Sequence, residues 1–162
     1  MISFNTNTIS NKFKDLSYPY FILLFTFFCK ISSTLLAYSA IIISRKMGYI
    51  TNFDNQSWPD ILIFGILLAP IIETIIFQVG IYHILNIIPF FRDYNNRIIL
   101  IGGLIFGLYH AYNVFYIISV IPTGMLLMYV YIIRQKNNDA FLSVYLIHLL
   151  CNVIALIFKL TN

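Results

Sequence analysis

The sequence predicts an all-α, polytopic transmembrane helical bundle, and two observations support this prediction. Sixty per cent of the 162 residues are hydrophobic and 10% are charged, whereas a soluble domain carries roughly 25% charged residues. A soluble fold of this length could not bury so much apolar surface. The apolar residues form long continuous runs without the strand-like alternation of a membrane barrel. We therefore expect about five helical spans, with four to six compatible with the runs.

The runs divide the chain into a polar N-terminal tail, residues 1–17, and a single transmembrane domain, residues 18–162. Lys30 interrupts the first run, and one tilted span is preferred to an interfacial piece followed by a short span. A reversal is predicted at residues 112–115, because the apolar stretch that contains them is too long for one crossing of ~20 residues. The predicted spans are residues 18–44, 60–88, 98–111, 116–133 and 140–160.

The charged residues predict topology and no nucleic-acid partner. The ten Lys and Arg residues are scattered around the ends of the runs and form no long basic block. With five crossings, six of them fall on the side of the N-terminal tail and three on the other. This bias favours an N-terminus inside the cell. Cys29 and Cys151 lie within apolar runs and are expected to be buried thiols rather than a disulfide framework.

Four of the polar residues inside the apolar runs form a candidate site, at a depth where a carboxylate alone costs ~2.5–3.5 kcal/mol on insertion scales. Glu73 is the only acidic residue well inside a run, and His110, His148 and Asn152 are the others. Counted from the loops on one side at ~1.5 Å per residue, they lie between ~12 and ~22 Å deep. We therefore expect the four side chains to meet in one layer, whichever way the protein is inserted.

This set of side chains favours hydrolytic chemistry. A carboxylate next to an imidazole can act as general base on a water, and a second histidine and an amide can stabilise an oxyanion. The alternative is structural: Glu73 could pair with Lys30, and either histidine could be a helix contact. Matched depth on three spans favours the functional interpretation. His83 lies near the end of its run and is expected to be interfacial.

The motifs around these residues resemble the CPBP family, the CAAX-protease and bacteriocin-processing (Abi) membrane proteins. Residues 69–78, APIIETIIFQ, resemble the first motif of that family, APxxEExxFR. Phe106 to His110 matches its FxxxH motif, and His148 to Asn152 matches its HxxxN motif. A Gly- and Tyr-containing span, residues 123–131, precedes the last motif as it does in the family. The likeness covers about residues 66–157.

The resemblance implies an intramembrane endopeptidase in a bacterial cell membrane, acting on membrane-associated proteins or peptides. It assigns water activation to Glu73 with His110, and oxyanion stabilisation to His148 and Asn152. A metal-free mechanism is preferred, since asparagine is an uncommon zinc ligand. Zinc held by Glu73, His110 and His148 remains the alternative. The oligomeric state is not predicted.

Two residues depart from the family pattern: Thr74 replaces its second glutamate and Gln78 its arginine. Such a Glu–Arg couple could be a structural pair lost together, which leaves no charge unpaired, or its loss could mark weakened catalysis. A catalytically weak or inactive member, acting in bacteriocin self-immunity or abortive infection by binding a membrane partner, is therefore the second hypothesis. A transporter subunit with a proton relay is the third, although broken half-helices or repeated halves would be expected there.

Overall fold

The computed structural model describes Phe13, residues 16–44 and residues 58–161. Most of the predicted polar tail, and residues 45–57 of the predicted first loop, lie outside this part of the chain. Six helices follow one another in the described part: α1 Tyr18–Ser44, α2 Ile61–Ile87, α3 Pro89–Arg92, α4 Asn95–Tyr109, α5 Val114–Arg134 and α6 Ala140–Thr161.

Four of these helices, α1, α2, α5 and α6, are long and apolar enough to cross a membrane, and α4 is a shorter apolar helix. The predicted all-α membrane bundle is therefore confirmed. Large apolar side chains such as Phe27, Ile72 and Phe158 are exposed on the outer faces of the bundle. This exposure is expected when the surrounding solvent is lipid, which is as apolar as these side chains.

The first predicted span runs as one helix through Lys30, which confirms the single-span prediction for α1. The largest boundary error is at the start of α4, which begins at Asn95 and not at residue 98, and a second error concerns the reversal between α4 and α5. The prediction placed it at residues 112–115, whereas α4 ends at Tyr109 and α5 begins at Val114. Asn113 accounts for the difference, because its side chain accepts a hydrogen bond of 2.8 Å from the Tyr116 N–H. This N-cap begins α5 about two residues earlier than hydropathy indicates.

Helix α2 changes its winding three times, and Glu73 ends an α-helical turn that lies between two wider stretches. Ile61–Leu68 and Thr74–Gly80 have the i→i+5 hydrogen bonds of a π-helix, and Ala69–Glu73 between them is α-helical. Pro70 stands at the start of the α-helical turn, and as a proline it has no N–H to donate to the preceding turn of α2. Wide turns of this kind are rare and are frequently found at functional sites.

Helix α5 forms the centre of the bundle, where Leu127, Met128 and Val130 are fully buried. It packs against α1, α4 and α6. Glycines of α4 allow the close approach of α4 to α5, as small residues do between membrane helices. A Cβ atom on Gly103 would lie 2.9 Å from the backbone nitrogen of Met125 and 3.1 Å from the carbonyl oxygen of Ile121. The spacing of α4 and α5 therefore depends on Gly103 having no side chain.

We expect Gly103→Ala to destabilise the protein by about 1–3 kcal/mol, since α4 must move away from the backbone of α5. Thermal unfolding in detergent measures the effect. Gly80→Ala is the matched control, because a Cβ there meets only the Ile75 carbonyl of its own helix, at 3.3 Å. Equal unfolding temperatures for the two variants would contradict the close α4–α5 contact.

A cluster of polar and aromatic groups closes the end of the bundle where α5 turns into α6. Arg134 donates to both carboxylate oxygens of Asp139, with its Nε atom 2.8 Å from Oδ1. Its guanidinium carbon also lies 5.2 Å from the ring centroid of Tyr18 and 5.0 Å from that of Phe21. Ser143 donates to the Tyr18 hydroxyl at 3.3 Å. The start of α1 is thereby attached to the turn between α5 and α6.

Candidate active site

The carboxylate of Glu73 lies against two imidazoles from two other helices. Its Oε2 atom is 3.7 Å from Nε2 of His110 and 3.5 Å from Nε2 of His148. The exposed fractions of the Glu73, His110 and His148 side chains are 17%, 15% and 7%. Glu73 on α2, His110 at the end of α4 and His148 on α6 therefore lie together, as predicted.

The orientation of His110 follows from its position at the end of α4. Its Nδ1 atom is 2.8 Å from the carbonyl oxygen of Phe106, four residues earlier on the same helix. A carbonyl oxygen only accepts hydrogen bonds, so Nδ1 must carry the hydrogen. In the neutral ring, Nε2 then presents a lone pair to Glu73. A lone pair and a carboxylate oxygen facing each other favour a proton or a hydrogen-bond donor between them.

His148 is the most deeply buried of the three side chains. It lies on α6 with its Nε2 atom toward Glu73. Its Nδ1 atom and the Oε2 atom of Glu73 are buried without a hydrogen-bond partner among the described residues. Buried polar atoms are almost always paired in folded proteins, and those without a partner call for an explanation. Unpaired polar atoms at this point favour a site that binds reacting groups over a purely structural contact.

Aromatic rings enclose the two imidazoles. The Phe106 ring centroid lies 4.6 Å from that of His110 and 5.8 Å from that of His148. Tyr109 and Tyr116 flank His110, with ring centroids at 5.6 and 6.2 Å. An apolar wall lowers the local dielectric constant and strengthens every charge interaction inside it. The motif comparison assigned no role to Phe106 itself, yet its carbonyl and its ring both orient His110. Its i, i+4 spacing from His110 is the signal that could have indicated this role.

Asn152 lies one turn beyond His148 on α6, but its amide is directed to another part of α2. Its Nδ2 atom donates a hydrogen bond of 3.0 Å to the carbonyl oxygen of Gly65. Gly65 stands eight residues before Glu73 in the sequence. The expectation that all four side chains meet in one layer therefore holds for three of them, and Asn152 bonds to backbone two turns away from Glu73.

The remaining polar residues of the spans lie outside this cluster. Within residues 16–44 and 58–161, no ion pair joins Glu73 to Lys30, so the structural alternative of that pair is not found. Lys30 instead lies beside Cys29 and Cys151, which are buried and free and contact each other between α1 and α6. The prediction of buried thiols is thereby confirmed. His83 is exposed near the end of α2.

Thr74 and Gln78, the two departures from the motif, point into the protein. Their exposed fractions are 0% and 1%. The Thr74 hydroxyl and both polar atoms of the Gln78 amide have no hydrogen-bond partner among the described residues. These two residues therefore occupy interior positions of α2, next to Glu73, where a single charge would be costly.

The donor set does not fit a zinc ion well. In the described part of the chain, no group of three His, Cys, Asp or Glu side chains is arranged to hold a metal ion. A histidine that binds a metal almost always donates its other N–H to an acceptor: Nδ1 of His110 does so, to the Phe106 carbonyl, whereas Nδ1 of His148 has no such partner there. We therefore derive no catalytic step through zinc.

A comparison with protein families identifies the family to which this chain is related. A family model described as type II CAAX prenyl endopeptidase Rce1-like matches residues 55–154, which include Glu73, His110, His148 and Asn152. The chain belongs to this Rce1-like family. The resemblance to the CAAX-protease group is thus confirmed, and membership supports a CAAX-type intramembrane endopeptidase, an integral membrane protein and a peptide hydrolase. No curated protein and no solved structure matches the chain.

Proposed function

We propose that this protein hydrolyses peptide bonds of membrane-associated proteins or peptides, with Glu73 and His110 activating the attacking water. The observation that carries the proposal is the position of the Glu73 carboxylate between two imidazole Nε2 atoms, at 3.5 and 3.7 Å. Nε2 of neutral His110 and the Glu73 carboxylate are both hydrogen-bond acceptors, so a single water beside the pair would donate one hydrogen bond to each residue.

In the first step, the water gives a proton to the Glu73–His110 pair, and its oxygen forms a bond to the carbonyl carbon of the peptide. The carbonyl π-electrons move to oxygen and form an oxyanion. An N–H of His148 donates to that oxyanion, which the apolar wall of Phe106 stabilises further by excluding water. In the second step the oxyanion re-forms the carbonyl, the carbon–nitrogen bond breaks with its electron pair on nitrogen, and the Glu73–His110 pair gives its proton to the leaving amine. The other product is a carboxylic acid.

The family supplies the first substrates to try. A peptide that ends in a CAAX sequence and carries a prenyl chain on its cysteine would be held in the bilayer by that chain, with its backbone near the site. Prenylation is not required by the geometry around Glu73, because any peptide held at the bilayer could reach it. The substrate class that we propose is therefore a membrane-held peptide, with or without a lipid.

The test uses the purified full chain in liposomes and fluorogenic peptides, each with and without a farnesyl group. Cleavage, located by mass spectrometry and unchanged by a zinc chelator, is the expected result. If the wild-type protein cleaves none of the peptides, while the same liposomes with a known CAAX protease do, the hydrolase proposal fails for this substrate class. A non-catalytic role in self-immunity or abortive infection, through binding a membrane partner, then takes its place. Loss of cleavage with the chelator, restored by zinc, would overturn the metal-free mechanism.

His148 offers a second prediction. We expect His148→Ala to lower kcat by about 10²–10³-fold, because the oxyanion loses its donor. KM should change little, since the donor acts mainly on the transition state. His83→Ala is the matched control: it removes a histidine that is exposed and remote from Glu73, and its kcat should equal that of the wild type. A His148→Ala variant with unchanged kcat would remove His148 from the mechanism.

A further inference from the structure

Helix α2 contains a backbone carbonyl that the helix itself cannot satisfy. In the wide turn that precedes Pro70, the N–H of Ala69 bonds to the carbonyl of Phe64, five residues earlier. The next bond in this pattern would join the nitrogen of residue 70 to the carbonyl of Gly65. Residue 70 is proline and has no N–H. In a bilayer, where no water replaces it, an unsatisfied backbone group costs several kcal/mol.

Asn152 supplies the missing donor from another helix. Its Nδ2 atom lies 3.0 Å from the Gly65 carbonyl oxygen, and 87 residues of chain separate the two. Asparagine suits this place, because its amide presents N–H groups at the end of a short side chain. The bond thus connects α6 to α2 at the point where Pro70 interrupts the hydrogen-bond pattern of α2.

The same two helices meet a second time at the reacting groups. His148, one turn before Asn152 on α6, places Nε2 3.5 Å from the Glu73 carboxylate. Gly65 precedes Pro70 and Glu73 follows it, so α6 contacts α2 on both sides of the interruption. The contact at Gly65 lies eight residues from Glu73, which is ~12 Å along a helix at 1.5 Å per residue.

We propose that Asn152 is a positioning residue: by donating to the Gly65 carbonyl, it holds α6 in register with α2 across Pro70 and so keeps His148 against Glu73. This inference rests on the proposed function, in which Glu73 and His148 act on the substrate. In this proposal, Asn152 donates its hydrogen bond to the backbone of α2 and not to the oxyanion of the substrate.

A double-mutant cycle between Pro70 and Asn152 tests the proposal, because Pro70→Ala restores the N–H that the Gly65 carbonyl lacks. In the wild-type background, Asn152→Leu should lower kcat about 10–100-fold, as small displacements of reacting groups do, with KM almost unchanged. In the Pro70→Ala background, the same substitution should lower kcat by less than about twofold, because the carbonyl then has a donor within α2. Equal losses in both backgrounds would overturn the proposal and favour a direct contact between Asn152 and the oxyanion.

Thermal unfolding of the same four proteins gives a readout that needs no activity. Asn152→Leu should lower the unfolding temperature in the wild-type background and leave it nearly unchanged beside Pro70→Ala. Asn86→Leu, a half-buried asparagine near the end of the same helix α2, is the control for replacing an amide by an apolar side chain. Lack of hydrolysis by the wild type would contradict the proposed function alone. An equal fall in unfolding temperature in both backgrounds would contradict the role of Asn152 alone.

Discussion

Glu73→Gln will lower kcat by roughly 10²–10⁴-fold, the range that a positioned general base contributes. Glutamine has nearly the same shape as glutamate, but its amide has no basic oxygen that can take a proton from water. The Glu73 carboxylate lies within 3.7 Å of both imidazole Nε2 atoms, so the substitution changes the reacting centre and little else. The measurement is kcat for a cleaved peptide in liposomes, per amount of folded protein.

His110 makes this prediction more specific. Because Glu73 and His110 are proposed to act on one water, His110→Ala should cause a similar loss, and the double variant should be little worse than either single one. Asp93→Asn makes the same acid-to-amide change at an exposed position between α3 and α4, and its kcat should not change. If Glu73→Gln retained wild-type kcat, Glu73 would not be the base. Multiplicative losses for Glu73 and His110 would contradict their joint action.

The second large effect concerns Thr74 and Gln78. Thr74→Glu alone or Gln78→Arg alone should destabilise the protein by about 3–5 kcal/mol, because either change buries one uncompensated charge. Their side chains are 0% and 1% exposed. The two positions lie about one turn apart on α2, so the introduced charges can meet. The double variant, which restores the pattern of the CAAX-protease motif, should therefore recover most of the stability that each single variant loses.

Thermal unfolding and the yield of folded protein in detergent measure this effect. Thr74→Val with Gln78→Leu is the matched control. Replacing polar atoms that have no partner among the described residues by apolar groups of similar size should be nearly neutral. If each single charged variant were as stable as the wild type, these positions would not be interior. A double variant no better than the single ones would contradict the interpretation of the motif residues as a lost structural pair. Activity of the double variant also shows whether their loss weakened catalysis.

Much of the fold follows from properties that are local in the sequence. Long apolar runs predict helices in a membrane because each backbone group must be satisfied within its own segment. The predicted and observed ends of α6 accordingly differ by one residue. Local hydropathy fails where a cap decides the boundary. The boundary between α4 and α5 lies in a stretch where aromatic, apolar and polar residues alternate, and the hydrogen bond from the Tyr116 N–H to the Asn113 side chain starts α5 there.

Three residues of the candidate site could be identified from the sequence, because burying a polar side chain in a membrane span is unfavourable. Glu73, His110 and His148 stand out because polar side chains in a span are rare and need partners. Their mutual contacts do not follow from the sequence alone, since depth restricts position along the membrane normal but not rotation about each helix. The same uncertainty explains why the position of the Asn152 amide was predicted wrongly. Asn152 shares a helix face with His148, but its amide bonds to Gly65.

Composition and motifs alone identify this chain as a membrane bundle that resembles the CAAX-protease family, and residue counting predicted Glu73, His110, His148 and Asn152 at a common depth. Composition, run length and motif spacing are properties of the chain, and no packing is needed to evaluate them. Which nitrogen of His110 faces Glu73 became known from the packing of the helices, because it depends on the Phe106 carbonyl at 2.8 Å. Only the tertiary structure placed Asn152 at the carbonyl that Pro70 leaves without a donor, because that contact depends on how α6 lies across α2.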